Sequence, residues 1–241
     1  MWPFKSVDSL KKSGIFEGLT DWHSHILPGV DDGIKTIDDS LRVLKLYDEL
    51  GFSKVWLTPH VMEDYPNTPD ELREKFEELK RSWTGNVKLA LASENMLDSL
   101  FEERLMKGDL LPIGDEERHL LVETSYYTPP MGMEELLEKV MQKGYFPVLA
   151  HPERYRYMEE ADYRRLKEMG VLFQMNLVSL AGGYGETAQK KAEWLLANGM
   201  IDLLGSDIHN LEAFSRMIEK SPRKDSQLKA VLRVAGEQNR L

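Results

Sequence analysis

The chain alternates short apolar runs with longer amphipathic segments, and this alternation restricts its fold more than any other feature. Seven runs have the length and composition of β-strands: Gly18–His25, Lys54–His60, Val87–Glu94, His119–Glu123, Phe146–His151, Val171–Asn176 and Ile201–Asp207. Helical patterns follow six of them: Ile37–Leu50, Pro69–Trp83, Glu134–Gln142, Glu159–Met169, Thr187–Ala197 and a last helix from about Leu211. The remaining connection, Met96–Lys107, is less regular.

These repeated strand-then-helix units predict an α/β protein with a parallel sheet. Thr68 and Pro69 suit the N-cap and first position of the second helix. No glycine-rich dinucleotide-binding turn follows a predicted strand, so a closed or nearly closed barrel is favoured over a doubly wound sheet.

The length and composition agree with one large domain. The chain has 241 residues and no linker rich in proline, glycine or serine. No apolar run is long enough to cross a bilayer, and the first residues lack the apolar core of a signal peptide. We therefore expect a cytoplasmic protein without direct membrane insertion.

The chain is acidic and contains no cysteine. Its formal net charge of −10 argues against a broad nucleic-acid surface, so no nucleic-acid partner is expected. The lack of cysteine excludes disulfides, thiolate metal sites and a cysteine nucleophile. Any metal ion must be held by oxygen and nitrogen, and an anionic substrate would need a local positive centre.

Polar residues of two types collect at the carboxyl ends of the predicted strands. Five histidines and four carboxylates occupy these ends or the loops that follow them: His23, His25, Asp32, His60, Glu94, Glu123, His151, Asp207 and His209. The carboxyl ends of all strands in a β/α barrel meet on one face, so these side chains are expected to share a cleft. Any one histidine could equally be a hydrogen-bonded imidazole. Four crowded carboxylates, however, repel one another unless cations lie between them.

The set therefore predicts a centre of divalent metal ions. The neighbouring Asp31 is interpreted instead as a solvated or capping residue.

Six motifs carry a family resemblance: HSHILPGVDDG, TPH, LASEN, LVETS, AHPERY and GSDIHN, in this order along nearly the whole chain. With them the chain resembles the polymerase and histidinol phosphatase (PHP) superfamily. Within it, the resemblance is to the bacterial metal-dependent tyrosine-protein phosphatases associated with capsule and exopolysaccharide synthesis. This implies a distorted seven-stranded (β/α)7 barrel, similar to a TIM barrel, formed by a single domain over residues 18–241. Residues 1–17 precede the family core and are expected to form an N-terminal extension.

The resemblance also implies ligands for three divalent metal ions. The first ion would be bound by His23, His25, Glu94 and Asp207. The second would share Glu94 and be completed by Glu123 and His151. The third would be bound by Asp32, His60 and His209. Manganese is the family's usual activating ion, and mixed imidazole and carboxylate ligands also admit iron or zinc.

For the reaction, the resemblance implies hydrolysis of a phosphomonoester by attack of metal-bound hydroxide. Arg154 could bind a phosphate oxygen through its planar guanidinium group, or form an ordinary salt bridge. His209 or a metal ion would assist the leaving group. Tyr126 and Tyr155 follow strands on the same face and could wall a slot for an aromatic ring, although such residues also serve loop packing. An arginine expected soon after GSDIHN is missing, and the later Arg216 is its candidate replacement.

Four functions are compatible with these residues. The favoured one is a manganese-dependent protein-tyrosine phosphatase that acts on a phosphotyrosine-containing protein, namely a bacterial tyrosine kinase of capsule or exopolysaccharide synthesis. The alternatives are a small-molecule phosphatase such as a histidinol phosphatase, an amidohydrolase with two metal ions, and a non-catalytic binding module that keeps metal ions for folding.

Overall fold

The computed structural model describes residues 7–238, which contain nine strands and eight α-helices. The strands are β1 (Thr20–Ser24), β2 (Lys54–Leu57), β3 (His60–Val61), β4 (Lys88–Leu91), β5 (Glu94–Met96), β6 (His119–Glu123), β7 (Phe146–Ala150), β8 (Leu172–Asn176) and β9 (Leu203–Gly205). The helices are α1 (Ile37–Leu50), α2 (Pro69–Ser82), α3 (Phe101–Lys107), α4 (Met133–Gln142), α5 (Glu160–Glu168), α6 (Glu186–Ala197), α7 (Leu211–Ile218) and α8 (Asp225–Gln238). Short 3-10 helices, Pro152–Arg154 and Leu177–Ala181, follow β7 and β8.

The strands pair in parallel throughout, as the strand-then-helix repeat predicts. They form a three-stranded sheet in the order β1-β2-β4 and a six-stranded sheet in the order β3-β5-β6-β7-β8-β9. Helix α3 lies in the connection whose pattern is less regular, and α2 begins at the predicted cap, where Thr68 and Glu71 form a reciprocal capping box. None of the helices between residues 7 and 238 combines the length and apolar character that crossing a bilayer requires.

Two of the seven predicted strands are interrupted. The second divides into β2 and β3, and the third divides into β4 and β5, so that the pairing passes from one sheet to the other. Pro59 has no N–H group to donate to the ladder, and the Ser93 amide donates to the Leu111 carbonyl instead, at 3.0 Å. The ladder therefore stops at both points and resumes at His60 and Glu94.

The last strand returns to the first. The Asp207 amide donates to the His23 carbonyl at 2.8 Å, and the His25 amide donates to the Ile208 carbonyl at 3.2 Å. These bonds join the carboxyl end of β1 to the residues that follow β9, where the site residues are found. The architecture is an α/β fold with a curled parallel sheet.

A bulge in β1 sets the directions of its side chains. Asp21 is opposite Val55 whereas Ser24 is opposite Leu57, so β1 has one residue more than β2 over this stretch. Bulges of this kind turn the side chains beside them. As a result Trp22 packs in the smaller apolar cluster, while the next residue, His23, reaches the polar site.

The apolar core has two parts that alternate along the strands. In β6, Leu120 and Val122 belong to the larger part, which also includes the buried faces of the helices. Leu121 belongs to the smaller part, which lies inside the curl of the sheet around the stacked rings of Trp22 and Trp56. The period of two expected for strands thus separates an outer helix-covered layer from an inner one.

The segment that precedes β1 packs onto the rest of the fold. Ile15 and Phe16 are buried in the larger core, and Phe16 stacks on Phe52 with ring centroids 5.2 Å apart. The Leu10 amide donates to the Lys220 carbonyl at 3.0 Å. The first six residues of the predicted extension lie outside the described part of the chain.

Gly205 provides the first test of this architecture. A Cβ atom at this position would lie 2.6 Å from the Cβ of His23 and 2.6 Å from Nε2 of Gln174, closer than packed atoms approach. We expect Gly205→Ala to lower the free energy of unfolding by about 1–3 kcal/mol, because β9 must move away from both neighbours. Chemical denaturation followed by circular dichroism measures the change.

Gly236 is the matched control for this substitution. It lies on the exposed side of α8, and an added Cβ would meet nothing within 4 Å. Gly236→Ala should stabilise the protein by about 0.5–1 kcal/mol, because alanine loses less entropy in a helix. Equal stability of the two variants would contradict the close approach at Gly205.

Candidate metal centre

The nine residues predicted as a metal centre lie together at the carboxyl ends of the strands. They are His23, His25, Asp32, His60, Glu94, Glu123, His151, Asp207 and His209. Seven of them are buried, whereas the side chains of Asp32 and His209 are 54% and 29% exposed. The cluster therefore has a buried floor and a rim that solvent reaches.

Within the cluster, four overlapping groups have ligand atoms within 4.8 Å of one another. They are His25 with Asp32, His60 and His209; His23 with His25 and Asp207; His23 with Glu94 and His151; and His60 with Glu94 and Glu123. Glu94 and three of the histidines each belong to two groups. A set of this kind can hold more than one cation, with shared residues between neighbouring ions.

Glu94 lies at the centre of the cluster and is fully buried. Its Oε2 atom is 3.1 Å from Nε2 of His23 and 3.2 Å from Nε2 of His25, and Oε1 is 3.0 Å from Nε2 of His151. Oε2 nevertheless accepts no hydrogen bond of acceptable geometry from the described residues. Short distances without aligned hydrogen bonds are expected where ligands surround a cation.

The hydrogen bonds behind two of the histidines fix which nitrogen faces the centre. His23 Nδ1 lies 2.7 Å from Oε1 of Gln174, and His25 Nδ1 lies 2.8 Å from a carboxylate oxygen of Asp31. Both partners are acceptors, so each Nδ1 carries a hydrogen and each neutral ring presents the lone pair of Nε2 to the centre. The two Nε2 atoms are only 3.1 Å apart.

At this distance two lone pairs that face one another repel, and each of them also repels a neighbouring carboxylate oxygen. A divalent cation removes the conflict, because each lone pair then becomes a ligand. Imidazole nitrogen and carboxylate oxygen without sulfur suit manganese, iron and zinc. The donor set and its tautomers therefore fit a metal centre.

The charges of the protein without any metal ion lead to the same conclusion. Burial lowers the pKa of His23, but the carboxylates of Glu94 and Asp207 outweigh this effect and raise it to about 9. For His60, burial again lowers the pKa, and the charges of Glu94 and Glu123 raise it to about 10. Without cations, protons would take their place between the carboxylates.

Two residues of the site have backbone conformations that favour glycine. His151 has a φ angle of +34° and Asp207 one of +52°. Between residues 7 and 238, Glu117 is the one other non-glycine residue with a positive φ. Such conformations cost about 1–3 kcal/mol and concentrate at functional sites, where surrounding contacts maintain them.

Asp31 is a supporting residue that the sequence interpretation missed. It is buried, and one carboxylate oxygen accepts from Nδ1 of His25 and from the His60 amide, at 2.8 and 3.0 Å. It therefore orients the imidazole of His25. Its sequence environment, a glycine-containing loop rich in acids, also fits a solvated residue, so the pattern gave no means of separating the two roles.

Gln174 and Asn176 support the opposite side of the centre. Gln174 bonds to His23, and Nδ2 of Asn176 donates to Oδ2 of Asp207 at 2.7 Å. Both residues are fully buried in β8. A signal for them exists in the sequence, because they are two polar residues at a spacing of two in an otherwise apolar strand.

Arg154 is held between the metal centre and two aromatic rings. Its Nη1 atom donates to Oδ2 of Asp207 at 2.7 Å. The guanidinium carbon lies 4.3 Å from the ring centroid of Tyr126 and 4.1 Å from that of Tyr184. Tyr184, which the sequence interpretation did not select, also donates its hydroxyl to Oδ2 of Asp207 at 3.0 Å.

The predicted site residues outside the nine differ in whether they line the cavity above the cluster. A hollow of about 500 Å³ opens above the centre and is lined by Tyr126, Arg154 and His209 among others. Tyr155 is fully buried below Tyr126, and its hydroxyl accepts from the Thr124 amide at 3.2 Å. Its position is that of a support for the wall rather than a surface that a substrate touches.

Arg216 does not take the place of the missing arginine. It lies on α7 with Ser215 on a groove toward α1, whereas Ala213 and Phe214 of the same helix line the cavity of the metal centre. The arginine thus belongs to a different face of α7.

Comparison with known proteins assigns the chain to a family. A family model described as "Capsular polysaccharide synthesis, CpsB/CapC" matches residues 19–238. The chain belongs to the CpsB/CapC family. The predicted resemblance to capsule-associated phosphatases is thereby confirmed.

Relatives of this CpsB/CapC protein include tyrosine-protein phosphatases. The chain is 32% identical over 200 residues to the tyrosine-protein phosphatase YwqE of Bacillus subtilis, covering 80% of this chain and 78% of the relative. It is 31% identical over 208 residues to the tyrosine-protein phosphatase CpsB of Streptococcus pneumoniae, covering 81% and 84%.

Among solved structures, the fold is similar to a chain from the crystal structures of YwqE from B. subtilis and CpsB from S. pneumoniae, described there as "unique metal-dependent tyrosine phosphatases". The TM-score is 0.76, with 28% identity, and the match covers 89% of this chain and 86% of the other.

The raised histidine pKa values of this CpsB/CapC protein generate a prediction for metal binding. Without metal ions, His23, His60 and His209 have pKa values of about 9, 10 and 9, so each imidazole is protonated on both nitrogens and positively charged at pH 7. Binding of Mn²⁺ must release these protons. We expect proton release in calorimetric titrations run in buffers of different ionisation enthalpy. The affinity should rise about tenfold per pH unit for each displaced proton between pH 6 and 8.

His119 provides the control for this measurement. It is the one histidine outside the cluster and lies at the start of β6, where burial lowers its pKa. His119→Gln should leave the number of released protons unchanged. Manganese binding without proton release at pH 7 would show that the ion does not displace protons from these histidines.

Proposed function

We propose that the protein is a metal-dependent tyrosine-protein phosphatase of capsule or exopolysaccharide synthesis. The observation that carries the proposal is a cluster of nine imidazoles and carboxylates, seven of them buried, at the floor and rim of an open cavity, with Arg154 at its edge. Membership of the CpsB/CapC family and relatives named tyrosine-protein phosphatases support it.

The cofactor in this proposal is a set of three divalent metal ions. We propose Mn²⁺ as the activating ion, with iron or zinc as possible occupants. The first ion would be held by His23, His25, Glu94 and Asp207. The second would share Glu94 with Glu123 and His151, and the third would be held by Asp32, His60 and His209. When bound, such ions activate water, orient phosphate oxygens and neutralise the charge of the transferring group.

Arg154 is proposed to orient the phosphate. One of its N–H groups is committed to Asp207, and the planar guanidinium has further donors on the side of the cavity. Tyr126 and Tyr184 hold the plane from both faces. Tyr126 also offers its partly exposed ring to the ring of a phosphotyrosine.

His209 has two predicted roles that compete for one atom. Its Nδ1 lies 3.0 Å from the Asp207 carbonyl oxygen, an acceptor, so Nδ1 is the donor there. Nε2 remains and lies 3.3 Å from Oδ1 of Asp32. Because the same nitrogen cannot bind an ion and donate a proton at once, we propose metal ligation as the role of His209.

The proposal extends to fold, domain and partner. The bonds from Asp207 to His23 and from His25 to Ile208 support a distorted seven-stranded barrel over residues 18–241 as a single domain, with residues 1–17 as an extension. The proposed substrate is a phosphotyrosine-containing protein, in particular a bacterial tyrosine kinase of the same pathway. The cytoplasm is the proposed place of action.

A phosphatase assay tests the function. Protein loaded with Mn²⁺ should release phosphate from phosphotyrosyl peptides faster than from histidinol phosphate, and chelation should abolish the activity. His151→Ala should lower kcat/KM by at least about a hundredfold, because a buried ligand beside Glu94 is lost. His119→Gln is the control and should remain active. A faster rate on histidinol phosphate, or full activity of His151→Ala, would contradict the proposal.

Arg154→Lys tests the phosphate contact separately from metal binding. Lysine keeps the positive charge but cannot stack between two rings or bind two oxygens in a plane. We expect kcat/KM for a phosphotyrosyl peptide to fall by about tenfold to a hundredfold. Elemental analysis should find the same metal content as in the unsubstituted protein. Loss of metal together with activity would assign Arg154 to the integrity of the centre instead.

A further inference from the structure

A second hollow opens beside the cavity of the metal centre. It encloses about 570 Å³ and shares three wall residues, Tyr126, Arg154 and Tyr184, with that cavity. Its outer wall includes Tyr127 and Arg156. We call this hollow the side cleft. The two spaces have a common wall. A substrate peptide with one side chain at the metal centre would therefore place its neighbouring residues in the side cleft.

Arg156 is a free cation on this wall. It follows Arg154 at a spacing of two, its side chain is exposed, and its guanidinium carbon lies 4.9 Å from the ring centroid of Tyr127. Between residues 7 and 238 it forms no ion pair with a carboxylate, unlike Arg154, which is bound to Asp207. The backbone around it is fixed, since its amide donates to the Tyr126 carbonyl at 2.8 Å.

Two carboxylates line the side cleft, and neither forms an ion pair with Arg156 among the described residues. Glu153 is buried, and its Oε1 atom accepts from the Asn176 amide and from the Ser179 hydroxyl, whereas its Oε2 atom has no hydrogen-bond partner between residues 7 and 238. Glu186 pairs with Lys190 at 2.9 Å. Among the described residues, Arg156 is thus the exposed cation of this wall that has no carboxylate partner.

We propose that the side cleft binds the part of the substrate next to the phosphotyrosine, and that Arg156 selects an acidic side chain there. The inference rests on the proposed function. Adjacent residues of an extended peptide are about 3.3–3.6 Å apart, so one or two residues from the phosphotyrosine span the common wall. The net charge of −10 repels acidic peptides elsewhere, which gives a local arginine a large share of the selectivity.

The aromatic residues of the cleft contribute to the same recognition. Tyr127 is 64% exposed and Tyr126 is partly exposed, so their rings offer flat surfaces to the peptide. Stacking on Tyr127 also limits the rotamers of Arg156 and presents the edge of its guanidinium group, where the donors are. The metal centre would therefore recognise the phosphate, and the side cleft would recognise its sequence context.

Matched phosphotyrosyl peptides test the inference. The set carries glutamate, glutamine or lysine at one or two positions on either side of the phosphotyrosine, and the enzyme is the full chain loaded with Mn²⁺. We expect kcat/KM for the best glutamate peptide to exceed that for its glutamine counterpart about three- to tenfold, mainly through KM. The difference should shrink as ionic strength rises.

Substitutions at Arg156 assign the preference to the cleft. Arg156→Gln should bring the ratio of glutamate to glutamine peptide close to one, and Arg156→Glu should favour the lysine peptide. Arg118 is the matched control, because it also lies over an aromatic ring, that of Phe146, but at the opposite ends of the strands. Arg118→Gln should keep the original ratio.

Each outcome decides the inference. A ratio near one in the unsubstituted protein, or a ratio that Arg156→Gln leaves unchanged, overturns it. If the protein hydrolyses a small aryl phosphate but ignores the flanking residues, the side cleft fails while the proposed phosphatase function stands. If it hydrolyses neither the small aryl phosphate nor any peptide, the function fails and the inference falls with it.

Discussion

Repulsion among buried lone pairs and carboxylates is the constraint on which the site depends. Glu94 has no exposed surface and faces the nitrogens of His23 and His151 from its two oxygens. Nδ1 of His23 donates to Gln174 and Nδ1 of His25 donates to Asp31, so the neutral forms of these two imidazoles turn their Nε2 lone pairs toward Glu94. Protons or cations must occupy the centre, and the fold is built to keep the ligands close despite the cost.

Irregularities of the sheet bring the ligands to that point. Regular strands would separate residues that the site needs close together, because successive side chains alternate between two faces. The bulge in β1 lies beside His23, and the breaks at Pro59 and Ser93 let His60 and Glu94 begin new strands. The departures from an ideal parallel sheet thus serve the metal centre.

The sequence predicted the ligand cluster better than its supports. After the phosphatase assay, the proton-release titration is the measurement that will judge the predicted ligands, which were recognisable because strand ends are visible in a local pattern. Thr68 as the cap of α2 was recognisable for the same reason. The roles of Asp31 and Tyr184 were not, since Asp31 reaches His25 only through the folding of its loop and Tyr184 contacts Asp207 in a distant part of the chain. The strand breaks were missed because an apolar run looks the same whether its ladder continues or passes to another sheet.

Asp207 connects the cluster of histidines and carboxylates to the walls of the two cavities. One oxygen, Oδ1, faces His25 at 3.4 Å, whereas Oδ2 accepts from Arg154 and Tyr184. A carboxylate shared in this way couples the charge of the centre to the position of the arginine. Because Arg154 and Arg156 lie on one short segment whose backbone is bonded to Tyr126, the same segment places one cation beside Asp207 and the other in the side cleft. An acidic protein can in this way present a confined positive surface to an anionic substrate without a broadly basic face.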